Sequence, residues 1–133
     1  MRVLVLAAPV LLALSACGSA KAITPDNHNP AHCIAAFNNA AYWFKIGQKP
    51  EKVTAMMARG AFEMEKAKAA GHSAAATLAE GEAFTEAYAK DQTAVDALFL
   101  ACGAAQDANP RFREELPELL ARVRSAQAAL PVY

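Results

Sequence analysis

The chain has 133 residues, is 55% hydrophobic and carries 13 basic and 13 acidic side chains. That length suits one domain with one core. The even balance excludes a strongly basic nucleic-acid binder, which needs a basic excess gathered on one face; lysine and glutamate alternate from Glu63 to Lys68 as on a solvated helix.

Arg2 precedes the uncharged run Val3 to Leu14, interrupted only by Pro9. The run is shorter than the roughly 20 helical residues that cross a bilayer, and small residues follow it, so residues 1–16 read as a cleaved signal peptide. Residues 17–29, small and polar without an apolar period, read as a tether to a helical domain over 30–133. Alanine fills 34 positions, and Val, Ile and Thr are scarce after residue 25 and never alternate with polar residues over a strand's length. The fold class is therefore all-α, a small bundle of four to five helices punctuated by Gly and Pro.

Asn29 followed by Pro30 makes a helix start, and Cys33, Phe37, Ala40, Ala41 and Phe44 repeat at helical spacing until Gly47. Pro50 launches a second helix with Val53, Met56, Met57, Gly60, Ala61 and Met64 on one stripe, ended by Gly71. Ser73 caps a third helix carrying Leu78, Gly81, Phe84 and Tyr88. Thr93 with Asp96 resembles a capping box for a fourth, with Val95, Leu98, Phe99 and Cys102 inward. Asn109-Pro110 repeats the first start, but Pro117 lacks an amide donor. This predicts a turn around Phe112 and then a last helix from Pro117 to about Ala129, its buried side marked by Leu116, Leu119, Leu120, Val123 and Leu130. Gly60 and Gly81 fall inside helices, where close helix crossings would offset a cost of about 1 kcal/mol each.

Three cysteines are an odd number for an exported chain. Two cleavage readings each resolve it: lipidation consumes Cys17, and peptidase cleavage near Ala22 discards it. Cys33 and Cys102 then remain, each on its helix's apolar stripe, and an oxidising compartment joins them as a disulfide. No Cys-x-x-Cys pair is present to support redox exchange.

His28, His32 and Cys33, with Asp26 nearby, suggest a metal cluster only until Pro30 is considered. It places His28 before the helix begins, and Cys33 is committed to Cys102, so these histidines and His72 read as surface residues and no metal or cofactor is expected. Ser73 and Ser125 have no nucleophile-elbow motif, and Glu82 and Glu86 share a face without any cleft signal. No catalytic residue is assigned, and the chain does not read as an enzyme. Tyr42-Trp43-Phe44 spreads its rings over about 200° of helical arc. Phe44 continues the inward stripe, leaving Tyr42 or Trp43 partly exposed as a ring over the Gly47 loop or as a patch for a partner helix or membrane surface. Methionine fills cores but also suits adaptable grooves, so Tyr42, Trp43, Met56 and Met57 form the candidate binding surface.

Leu14-Ser15-Ala16-Cys17 resembles the lipobox of bacterial lipoproteins at every position. The resemblance implies that Cys17 is acylated, becomes the new N-terminus and anchors the chain durably at a membrane. Gly18, rather than Asp, resembles outer-membrane sorting. A second stretch, Ala101 to Phe112 with Cys33 as an earlier helical partner, is similar in pattern to the periplasmic acid-stress chaperones, small helical proteins with one disulfide. That likeness implies apolar surface exposed at low pH to hold unfolding clients.

The expectation is a non-catalytic cell-envelope lipoprotein acting by binding or structure on the periplasmic face of the outer membrane. Its partners would be the membrane, through the lipid anchor, and a protein of the envelope, with no nucleic acid. Cleavage near Ala22 would instead make it soluble in the periplasm or secreted. The alternatives are a holdase-type chaperone, which would suppress client aggregation on acidification, and a small-ligand carrier, which would need a Met- and aromatic-lined cavity between helices.

Overall fold

Each helix begins where a side chain or a proline deals with the amides that a first turn leaves unpaired. In a computed structural model describing residues 22–130, five helices follow in order: α1 (Pro30–Ile46), α2 (Pro50–Ala69), α3 (Ala74–Ala87), α4 (Gln92–Asp107) and α5 (Pro110–Ala128). Among the described residues there is no strand, and the all-α bundle is the fold. Asn29 accepts the Ala31 amide at 2.9 Å, Ser73 the Ala76 amide at 3.1 Å and Asn109 the Arg111 amide at 3.0 Å. Pro30, Pro50 and Pro110 each occupy a first turn. At the other end of α2, Gly71 takes φ +90°, and the amides of Gly71 and His72 return to the carbonyls of Lys68 and Ala67. This is the paired-bond stop that only an unhindered residue makes without strain.

α1 and α2 form a helical hairpin that carries the rest. α3 and α4 pack on α1, and α5 packs on α2. The core is accordingly split. One cluster gathers Cys33, Phe37, Phe84, Val95, Leu98 and Cys102, with Ile23, Met56, Tyr88 and Phe99 against it. The other gathers Ala58, Phe62, Phe112, Leu119 and Val123, with Leu116 and Leu120 against it. Cys33 and Cys102 are bonded across α1 and α4, with Cα atoms 5.7 Å apart.

Several sequence expectations are corrected. α5 is one continuous helix through Pro117, because that residue and Arg113, whose carbonyl loses its partner, both face solvent where water can satisfy the freed acceptor. Phe112, Leu119 and Val123 then reach the second cluster from a single face. α4 starts two residues early, with Asp91 rather than Thr93 as its cap, accepting the Ala94 amide at 3.1 Å. The buried side of α2 follows Thr54, Ala58, Phe62 and Ala67 rather than the methionine stripe, because α2 is pressed between α1 and α5. Leu78 and Leu130 are exposed, not core, and Thr77 takes the inward place on α3.

His32, expected at the surface, is buried: its Nδ1 accepts the Asp26 amide at 3.2 Å and its ring lies 4.8 Å from that of Phe84. The cause is long-range. Residues 22–29 of the expected tether fold back along the bundle, where the Tyr88 hydroxyl donates to the Ile23 carbonyl at 2.6 Å.

The two helical glycines separate. A Cβ at Gly81 would meet the Ala31 carbonyl oxygen at 3.2 Å, a true close crossing of α3 on α1, whereas one at Gly60 would meet nothing within 4 Å. Gly60→Ala should therefore raise the unfolding free energy by about 0.5–1 kcal/mol, the ordinary helical gain of alanine over glycine. Gly81→Ala should lower it, since a buried backbone carbonyl has little room to give. Urea midpoints of the two variants would test the pair, and a stabilised Gly81→Ala would contradict the crossing.

Candidate functional site

α1 changes character along its length. From Ala31 to Phe37 every residue is buried, because α2, α3 and α4 surround that half. Beyond Asn38 the covering helices fall away, and the last turns emerge with Tyr42 57%, Trp43 53% and Ile46 56% exposed. The two outer rings pack edge to face at 5.3 Å. Both stand in solvent, where the sequence suggested one.

The turn into α2 is tight. Gln48, not Gly47, takes the left-handed conformation, φ 54°, and the Lys49 amide returns to the Phe44 carbonyl at 2.9 Å. That geometry costs a side-chain-bearing residue roughly 1–2 kcal/mol. It sets Lys45, Lys49 and Lys52 around one end of the hairpin, and Lys52 Nζ lies 5.2 Å from the centre of the Phe44 ring. Among the described residues none of these lysines forms an ion pair. The nearby Glu51 is engaged by Arg124 at 3.5 Å.

Two open grooves flank this end. One, of about 350 Å³, lies between α1 and α4 and is lined by Asn39, Trp43, Phe44, Asp96 and Phe99. The other, of about 520 Å³, lies under the turn and is lined by Lys45, Lys49, Val53, Met57 and Leu130. Gln127 accepts the Thr54 hydroxyl at 3.1 Å on its floor. The four residues expected as one binding surface are divided: Met56 packs into the first cluster, Met57 lines the lower groove, Trp43 lines the upper one, and Tyr42 stands outside both. Sequence reading missed the three lysines, although KIGQKPEK directly follows the aromatic run.

A second polar feature lies between the two clusters. Glu63, read as part of a solvated face, is only 2% exposed. Its carboxylate accepts Gln106 Nε2 at 2.9 Å and Lys66 Nζ at 3.1 Å. Gln106 also donates to the Arg59 carbonyl at 3.0 Å, and Arg59 reaches Gln106 and Asp107. Every buried side-chain nitrogen and oxygen among the described residues has a partner.

At the opposite end of α1, His28 and His72 line a third hollow with Asp26 and Glu80. Among the described residues no three such groups converge to hold a metal ion. On α5 the hydrogen bond that Arg111 donates to Glu115 holds its guanidinium above its usual range, and the one that Arg122 donates to Glu65 does the same, so both stay charged at any working pH. No described helix is long and apolar enough to cross a membrane. Cys17 lies outside the described residues.

No protein-family model matches the chain, and no curated protein and no solved structure matches it either.

Proposed function

We propose that the chain is a cell-envelope lipoprotein, anchored through an acylated Cys17, whose five-helix domain acts by binding or structure rather than by catalysis. The observation that carries this reading is the filled motif Leu14-Ser15-Ala16-Cys17 at the end of an uncharged apolar run. Gly18 after the acylated residue favours the outer membrane, on its periplasmic face. A disulfide across α1 and α4 suits the same oxidising compartment. The carrier alternative has less support, since the two grooves beside the α1–α2 turn are open rather than a chamber between helices.

Intact-mass measurement of the membrane fraction tests the proposal. The expected species begins at Cys17 with added acyl mass, and Cys17→Ser moves the protein out of that fraction. A mature chain beginning at Ile23 without acyl mass would overturn it.

A further inference from the structure

We propose that the α1–α2 end of the bundle is a membrane-contact surface, which seats its aromatic side chains among the headgroups of anionic lipids. Seven large apolar side chains are exposed among the described residues. Three of them, Tyr42, Trp43 and Ile46, share the last turns of α1, and Met57 and Leu130 line the groove under the turn that follows, whereas Leu78 and Leu100 belong to neither group. Exposed apolar groups gathered this way mark a contact site. Trp and Tyr have an apolar body and a polar tip, which suits the boundary between headgroups and acyl chains.

Charge decides which partner. Lysine is depleted where proteins bury one another, yet Lys45 and Lys49 line the groove with Met57 and Leu130, Lys52 lies over Phe44, and the neighbouring Glu51 is 3.5 Å from Arg124. Each lysine can lay its aliphatic stem along the apolar side chains while its ammonium meets a phosphate. On the α4 side the charged group beside Trp43 is Asp96, which accepts Gln92 Nε2 at 2.7 Å. Lys45 and Lys49 belong instead to the groove under the turn, with Met57 and Leu130. A nucleic acid would need a longer basic track than three lysines provide.

The first described residues lie against α3 and the first cluster. Tyr88, which holds Ile23, lines one small cavity with Asn39 and Gln92, and Trp43 follows Asn39 by one helical turn, about 6 Å along α1. The stretch from Cys17 to Ala22 reaches at most about 18 Å. An acylated Cys17 would tether the domain, and this patch with it, to a bilayer; that step rests on the lipoprotein reading, while composition and charge do not.

Trp43 is the only tryptophan, so its emission reports the contact directly. The exported chain carrying Cys17→Ser, which has no acyl group, is mixed with vesicles of phosphatidylethanolamine and phosphatidylglycerol, or with phosphatidylcholine alone. Expected is a blue shift of Trp43 emission, quenched by bromolipid, on the anionic vesicles only. The triple variant K45A/K49A/K52A should partition about a hundredfold more weakly, each lysine near an anionic surface being worth about a factor of five, and added salt should weaken the wild type likewise. Unchanged emission on anionic vesicles would overturn the inference, as would a shift indifferent to the lysines. A shift that grows with protein concentration without lipid would assign the patch to a second copy and overturn it too. Missing acyl mass in the envelope fraction would end the anchor reading and leave this result standing.

Discussion

Replacing Cys33 and Cys102 together by alanine should lower the unfolding free energy by about 4 kcal/mol. The bridge spans a sequence separation of 69 residues, so its removal returns most of the chain's loop-closure entropy to the unfolded state. The native state loses packing as well. Both sulfurs are buried in the first cluster, and alanine leaves their volume unfilled beside Phe37 and Leu98. α4 rests chiefly on α1 and contacts α5 little, its other support being the hydrogen bonds of Gln106 and Asp107 to α2. Thermal unfolding followed by circular dichroism should show a midpoint lower by about 15 °C, and reductant should move the wild type in the same direction. A shift under about 3 °C would mean that the two clusters hold without the staple. The reading of an oxidising compartment would lose its structural support with it.

What the sequence revealed, and what it hid, follows the range of the interactions involved. Asn29 and Ser73 were legible as caps because each bonds an amide two or three residues ahead, and Gly71 because a left-handed stop is set by its own backbone. The disulfide was legible from parity and helical phase, with no geometry required. His32 was not legible, since its burial depends on residues 22–29 folding back to Tyr88, a contact across more than half the domain. The inward side of α2 was hidden for a related reason. A helix packed on two sides has no single apolar stripe, and its methionines gave way to Ala58 and Phe62. Pro117 misled because the rule against an interior proline assumes a carbonyl that cannot be hydrated, which the exposed face of α5 does not require. The candidate site was half visible. Tyr42 and Trp43 stood out, but three lysines disappeared into an even chain-wide balance that says nothing about where charges gather.

Glu63 and Gln106 should behave as one unit, and a double-mutant cycle should show it. Gln106→Leu removes the amide that donates both to the Glu63 carboxylate and to the Arg59 carbonyl, leaving a buried charge with Lys66 alone. Losing this donor costs about 2–3 kcal/mol, because the buried carboxylate keeps its bond to Lys66 but water does not replace the amide. Glu63→Leu should cost less: it removes the charge itself, and Lys66 and Arg59 are exposed enough to find water. With both positions changed, E63L/Q106L, no buried polar atom of the pair remains, and apolar side chains join the two clusters across the seam. The double variant should lie within about 1 kcal/mol of the wild type, so the single costs should fail to add by roughly 2–3 kcal/mol. Denaturant unfolding of the four proteins measures that coupling. Singles that simply add would show the carboxylate to be solvated in solution, and the polar seam between the clusters would then have no part in fixing α4 against α2.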